Sequence, residues 1–491
     1  MNWIDNLISF VSPEWGARRQ IWRKYEEDIR NYDAAGYGNG SANWHVANQA
    51  AELTDRYSRD TVRARTRDLE RNSDMLNSVV SAYKRNVFGR GFSIRAKTGD
   101  KKTDEALMQA WKHWCKKQNC DVTGTQSFNQ IMRMCVQRKK VDGGILIVKR
   151  YTGQGFIPFQ IQTMEVDELD NTQMMPKHKE NRVVGGIEYN RWNRPEGYWF
   201  RQYDIDGSLP MESIYIESKD VIFYFTKRRP SQIREMSDLS PTVTRIRDAN
   251  EFMTAVSVKE RIAACLSVFI TKTNPSSGPG RFDSGNSKGR YEGKTIAPGM
   301  IRELDPGDKI EVVNPNGQST DAATYIKLMQ HMIGAGQGLS YEATSRDMAE
   351  TTYSSARQGM IEDDLTYDDE RELLIEVMDE IYETFVISCV LAGIIQVPDF
   401  WNNKEKYLSH TWTAAPKKWI DPAKEANANK IALSTGQKTF QQIAAENGRD
   451  WREQIDEMVE ALEYAEENGF DIGGVLFGSD YYKGKDLTGK E

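Results

Sequence analysis

The chain has 491 residues, 39% of them hydrophobic and 28% charged, with a formal net charge of −7. That length allows roughly three domains and a substantial core, and the charge excludes a protein that grips nucleic acid through a global basic field. The start, MNWIDNLISFVSPEW, carries Asp5 and no basic leader, so no secretory signal is expected; the most apolar run, Val386 to Ile395, falls well short of the ~20 residues that span a bilayer.

Five cysteines, an odd number, point to free thiols in a reducing compartment. Residues 1 to about 70 read as a polar arm, in which Arg18, Arg19, Arg23, Lys24 and Arg30 alternate with carboxylates. Arg56, Arg59, Arg63, Arg65, Arg67 and Arg71 then recur at helical intervals. They form either a solvated or subunit-facing helix side, with Asp60, Asp68 and Glu70 as partners, or a stripe turned toward phosphates.

From Ser73 to about Lys227 the pattern is mixed α and β. Ser73 caps a helix through Val87, Phe92 to Ala96 follows as a strand, and helices fit Thr103–Lys117 and Ser127–Lys140. Strands fit Gly144–Lys149, Phe156–Gln162, Val183–Tyr189, Gly197–Tyr203 and Val221–Phe225, which alternate or are rich in β-branched and aromatic residues. Ser240-Pro241 reads as a helix start, and Val243, Ile246, Met253, Val256, Ala263 and Leu266 keep the helical period. A short strand at Val268–Ile270 leads into the glycine/serine-rich stretch TNPSSGPGRFDSGNSKGRYEG, which is expected to form a mobile loop. Two strand-like pieces, Met300–Leu304 and Lys309–Val313, follow it.

Thr320 and Asp321 then start a second helix, with Ala322, Ile326, Met329 and Ile333 on one face. Gly334, Gly336 and Gly338 end it. After the hydroxyl-rich loop GLSYEATSRDMAETTYSSAR, the residues Ile361, Leu365, Leu373, Val377, Ile381 and Phe385 define one face of a helix of about 35 residues, or ~50 Å. Between Glu362 and Glu380 it carries ten carboxylates and one base, Arg371. Asp421-Pro422 opens further helices, one with Ile455, Met458, Leu462 and Ala465 at its apolar period.

Motifs for chemistry are weak. Gly293-Lys294-Thr295 lacks the glycine five residues upstream that a phosphate loop needs, and Pro298 follows where a helix should open. His113, Cys115 and Cys120 have no fourth zinc ligand at finger spacing, and Trp111 and Trp114 beside them favour core packing. The paired acids Asp363-Asp364 and Asp368-Asp369 are the feature most like an enzyme, because a two-metal nuclease converges such groups on ions ~4 Å apart. The acids extend all round the helix, however, as a solvated face would. Neither a cofactor nor a metal is expected.

GLSYEATSRDMAETTYSSAR resembles the signature of the lambda family of tailed-phage portal proteins. The segments TRDLERNSDMLNSVVSAYKRNVFGRG, SFNQIMRMCVQRKKVDGG, SPTVTRIRDANEF, KERIAACLSVFIT, DKIEVVNPN and DPAKEANANKIALSTGQKTFQQIAAENGRD are similar to that family in the same order, from about residue 15 to 455. The resemblance implies an α+β portal fold assembled as a ring, without enzymatic activity. Its parts would be an N-terminal arm (1–70), an α/β wing (71–237), stem helices (238–267 and 320–338), a β-rich clip (268–319), a tunnel loop (339–354), a long wing helix and return (355–412) and a crown with tail (413–491).

It also implies that Tyr341, Thr344, Ser345, Arg346, Asp347, Met348 and Glu350 line a DNA channel, and that Arg245, Arg247, Glu251, Lys259, Lys327 and His331 face neighbouring subunits on the stem. The implied partners are further copies of the chain, typically twelve, double-stranded DNA bound without sequence preference, the terminase large subunit, major capsid and scaffold proteins, and head-completion or neck adaptor proteins. No membrane is implied. The implied location is the portal vertex of the virion, after assembly in the host cytoplasm. A metal-dependent nuclease or a packaging motor component is the alternative. A channel loop rich in hydroxyls and poor in bases suits moving DNA, because each neutralised phosphate strengthens non-specific binding. Twelve copies would carry 12 × −7 = −84 charges.

Overall fold

The computed structural model describes residues 10, 12–15, 17–19, 48–208, 210, 212–265, 269–271, 302–304, 322–415 and 421–470. The chain divides into two units, Met1–Thr54 and Asp55–Glu491. In the first, Glu14 and Arg18 form an exposed i,i+4 pair.

The second unit begins with α1 (Arg59–Asn72) and α2 (Asp74–Tyr83), separated by Ser73, whose hydroxyl accepts the Leu76 N–H. A π-helical turn at Lys84–Phe88 follows, and then β1 (Phe92–Ala96). Next come α3 (Lys101–Trp114) and α4 (Phe128–Asp142). The α3 start lies ahead of the expected Thr103, because the Asp100 carboxylate caps the Thr103 N–H and draws Lys101 and Lys102 into the first turn.

The central sheet has the order β3-β2-β8, all antiparallel, from β2 (Gly144–Tyr151), β3 (Phe159–Met164) and β8 (Val221–Phe225). Its middle strand is buried on both faces. Ile145 and Ile147 enter the main core, while Leu146 and Val148 enter a smaller one. This is why GILIV reads as a continuous apolar run and not as an alternation. A second antiparallel sheet of β4 (Arg182–Val184), β5 (Ile187–Tyr189), β6 (Pro195–Phe200) and β7 (Ile214–Glu217) covers the smaller core. The single strand expected over 183–189 is therefore a hairpin, turned at Gly185 and Gly186, which both have positive φ.

Helix α5 (Val243–Cys265) starts after the expected Ser240-Pro241. Residues 239–242 are spent in a turn in which Thr242 and Val243 donate their N–H groups to the Leu239 carbonyl. Strands β9 (Phe269–Thr271) and β10 (Arg302–Leu304) pair in parallel. The glycine/serine-rich loop, Lys309–Val313 and Thr320-Asp321 lie outside the described residues. Then come α6 (Ala322–Gly336), the short α7 (Tyr341–Ser345) and the 39-residue α8 (Tyr353–Leu391). The strand β11 (His410–Ala414) returns to pair with β1. Three helices, α9 (Pro422–Ser434), α10 (Phe440–Glu446) and α11 (Trp451–Glu467), follow.

The main core closes where α8 crosses the central sheet. Trp111 of α3 meets Phe128, Tyr382, Phe385 and Trp412, and Trp114 stacks on Phe159 at 5.3 Å while its indole N–H donates to the Phe159 carbonyl. The tryptophans beside His113 and Cys115 are thus core residues, as their pattern implied. Only the second half of the α8 stripe is covered. Val377, Ile381 and Phe385 are buried, but Ile361 and Leu365 are exposed, and Asp363, Tyr367 and Leu374 are the buried positions of the first half. Among the described residues the first half is only partly covered, so much of its expected apolar face stays exposed.

The arginine series divides: Arg56, Arg65 and Arg71 are exposed as on a solvated face, while Arg59, Arg63 and Arg67 turn inward. Arg59 and Arg63 are buried on α1, and Arg67 is three-quarters buried. Arg63 reaches Asp167 and Glu235 at 3.0 Å each, and Arg67 reaches Asp142 at 2.7 Å and Asp167 at 2.7 Å. Glu70 pairs with Arg138 of α4. Burial alone would raise the Glu235 carboxyl, but Arg234, Arg59 and Arg63 outweigh it and hold the group below its ordinary range. Helix α1, grouped with the N-terminal arm on sequence grounds, therefore belongs to the body.

Candidate functional site: the connection between two long helices

The connection between α6 and α8 is built by local sequence signals in series. Gly338, at φ +67°, ends α6 in a Schellman arrangement: its N–H donates to the Ala335 carbonyl at 3.1 Å and the Leu339 N–H to the Gly334 carbonyl at 2.9 Å. The Ser340 hydroxyl then caps α7 by accepting the Ala343 N–H at 3.2 Å. Arg346, at φ +61°, ends α7 in the left-handed region. Thr352 and Ser355 open α8 with a capping box. The sequence led us to expect an open loop here; its first half is instead a helical turn, because Ser340 supplies a cap that the run of hydroxyls concealed.

That first half is anchored. Asp363 of α8 is buried and accepts both the Ser340 N–H at 2.6 Å and its hydroxyl at 2.7 Å. Burial pushes the Asp363 carboxyl above the ordinary aspartate range; Asp364 and Glu342 add to this, and the Ser340 bonds oppose it. Thr366 donates to the Gly338 carbonyl at 2.7 Å, and Ser78 and Tyr83 of α2 donate to the Thr344 and Gln337 carbonyls. Gln337 donates to the Asp238 carbonyl and Thr242 hydroxyl at 3.3 Å each, at the base of α5.

The second half, 346–350, is exposed. Arg346 is its one base, and Met348 is 58% exposed. The Ala349 N–H and the Tyr341 hydroxyl hold the Asp347 carboxyl below its usual range. Glu350 pairs back with Lys327 of α6, and the Tyr341 ring stacks on His331 at 4.2 Å. Tyr341 and Ser345 are partly buried, and Thr344 is buried, its hydroxyl donating to Tyr341 and Ser340 carbonyls. On α5, Arg247 and Glu251 form an exposed pair at 2.7 Å, Lys259 is exposed and Arg245 is half-buried. Phe252 of α5 meets Tyr325 of α6 at 4.4 Å, which joins the two helices. Asp363, which the sequence reading placed in a possible nuclease pair, is instead an anchor for Ser340; its separation from Ser340 by 23 positions gave no local signal. Among the described residues no group of three acids on α8 converges on one point, and Asp368 pairs with Arg371.

Gly338→Ala is expected to destabilise the chain by about 2–3 kcal/mol, combining a left-handed backbone penalty with the displaced Thr366 bond. A Cβ at Gly338 would lie 2.9 Å from Thr366 Oγ1. Gly359→Ala in α8, where the nearest atom is Ser340 Cβ at 3.4 Å, is expected to be neutral or to stabilise by up to about 1 kcal/mol. Urea unfolding midpoints of the two variants check both.

A family profile described as "Phage portal protein, lambda family" matches residues 37–371. The chain is 25% identical over 408 residues to a probable portal protein of Halomonas phage phiHAP-1, covering 80% of this chain and 78% of the relative. It is 18% identical over 462 residues to portal protein B of Escherichia phage lambda, covering 85% and 86% of the two chains. Among solved structures it is similar to a chain of the virion of a native gene transfer agent particle, with 10% identity, a TM-score of 0.41 and coverage of 78% and 93%. With the profile matched over most of its length, the chain belongs to the lambda family of phage portal proteins, the connectors of head and tail.

Proposed function

We propose that copies of this chain close into a ring, twelve as is typical of the family, around a channel for double-stranded DNA at one vertex of the capsid. The terminase large subunit would dock on it to drive DNA in. Scaffold and major capsid proteins would build the head from it, in the host cytoplasm, and neck adaptors would later join it to the tail. The role is structural, not enzymatic. The observation that carries the reading is the apolar surface that one copy leaves wet. Met360, Ile361 and Leu365 on α8 are 45%, 48% and 59% exposed, Leu328 and Met332 on α6 are 52% and 40% exposed, and α9 buries no residue at all. Helices of this kind are completed by neighbours, and a closed ring supplies the same neighbour to every copy.

In this reading α5 and α6 are the stem, β9 and β10 belong to the clip, α9 to α11 form the crown, and 346–350 faces the bore. Size-exclusion chromatography with light scattering, followed by negative-stain imaging of the purified protein, tests it. Rings with a central hole are expected; a compact monomer at high concentration would overturn the reading. DNA cleavage by the purified protein that is lost in Asp364→Ala would favour a nuclease instead.

A further inference from the structure

The second sheet carries a group of side chains that the portal role does not use. His178 and Asn181 sit in the loop between β3 and β4, Glu188 is on β5 and Glu196 on β6. The ligand atoms of His178, Glu188 and Glu196 all lie within 4.8 Å of one another. Glu188 is fully buried, yet among the ion pairs of the described residues its partner is a histidine, with no lysine or arginine. The lysines nearby are engaged elsewhere: Lys177 lies over the Tyr215 ring and Lys219 pairs with Glu217. Buried carboxylates normally carry a permanent cation or a metal.

We propose that His178, Glu188 and Glu196 bind one divalent transition-metal ion of the zinc class, with the Asn181 side chain as a fourth ligand. The imidazole selects zinc over magnesium or calcium, and two carboxylates neutralise its charge. His178 Nδ1 and Glu188 Oε1 are 2.8 Å apart, a hydrogen-bond length that must open by about half an ångström for the two atoms to become neighbouring corners of a zinc tetrahedron. The Asn181 amide already bridges the two carboxylates, at 2.8 Å to Glu188 and 2.7 Å to Glu196. Rotating that amide by a half-turn would give up both hydrogen bonds and turn its oxygen toward the cation, which then neutralises the two carboxylates in their place. Zinc bonds of roughly 2.0–2.2 Å then require the exposed loop to draw in toward β5 and β6. The ion takes the place of the proton between Nδ1 and Oε1, and that proton leaves to solvent. Bound metal would clip the 177–181 loop to the hairpin and stiffen this edge of the second sheet.

Full-length protein stripped with a chelator, then titrated calorimetrically with zinc chloride, tests the assignment. One zinc per chain is expected, with tryptic cleavage after the exposed Lys177 and Lys179 slowed at least tenfold. Glu196→Gln and His178→Gln, both at accessible positions, should each weaken binding at least tenfold and restore cleavage while circular dichroism stays unchanged. Zinc uptake that persists in both variants would place the ion on thiols such as Cys115 and Cys120 and overturn the proposal. Equal binding of magnesium or calcium, or no uptake at all, would overturn it too.

Discussion

Arg63→Ala is expected to destabilise the body of this portal protein by about 3–5 kcal/mol, the effect of removing one partner from a buried charge network. The Arg63 side chain is 4% exposed and joins three carboxylates, Asp60, Asp167 and Glu235, of which Glu235 is fully buried. Without the guanidinium, Asp167 keeps Arg67, but Glu235 loses one of the cations that hold it ionised. Arg71→Ala should cost less than about 0.5 kcal/mol, since Arg71 is exposed and sits 3.9 Å from Asp68. Urea unfolding at neutral pH separates the two.

This network and the neighbouring one around Asp238, with Lys139, Lys140 and Arg228, set an acid limit. The folded Glu235 and Asp238 carboxyls titrate below their unfolded values, Glu235 because arginines outweigh burial and Asp238 because Lys140 and Lys139 do. Their contribution is therefore complete above the unfolded values of about 4.3 and 3.9, and is lost as pH falls through those values and below. The unfolding midpoint should drop steeply from about pH 4 downward; a flat profile there would show that these pairs carry little.

The second large effect concerns the exposed half of the α6–α8 connection. Asp347→Lys with Glu350→Lys changes each copy by four charges and leaves Arg346 among new bases. On a twelve-fold ring that is 12 × 4 = 48 charges. Rings should still form, because 346–350 is exposed in the single chain and the anchoring bonds lie at 337–344. Duplex DNA should then be held instead of passing. A ring engaging six or more phosphates loses about 10³-fold in affinity between roughly 50 and 200 mM salt, whereas the parent should show a shallow slope. Asp347→Asn with Glu350→Gln separates charge from geometry, since it removes the Lys327 pair without adding bases. Equal slopes for all three proteins would remove this segment from the channel wall.

Much of the architecture was legible without coordinates. Ser73, Gly338 and Asp421-Pro422 marked helix ends because a cap or a left-handed glycine acts on groups within a few positions. The Trp111 and Trp114 pattern located the core, and the ordered motifs located the family. A helix of about 35 residues, 39 in the structure, was visible from its period, although the period could not say which part would be covered by its own chain.

What the tertiary structure decided is the destination of the charges. Arg63 and Glu235 are 172 positions apart, and Lys139 and Glu370 are 231 apart. Asp363 and Ser340 meet across a reversal of chain direction, and His178, Glu188 and Glu196 meet only because a loop folds over a hairpin. Capping and periodicity depend on neighbours along the chain, so sequence alone specified the rods and their ends. The pairing of a buried charge depends on which distant element arrives beside it, and only the packed chain selects that partner.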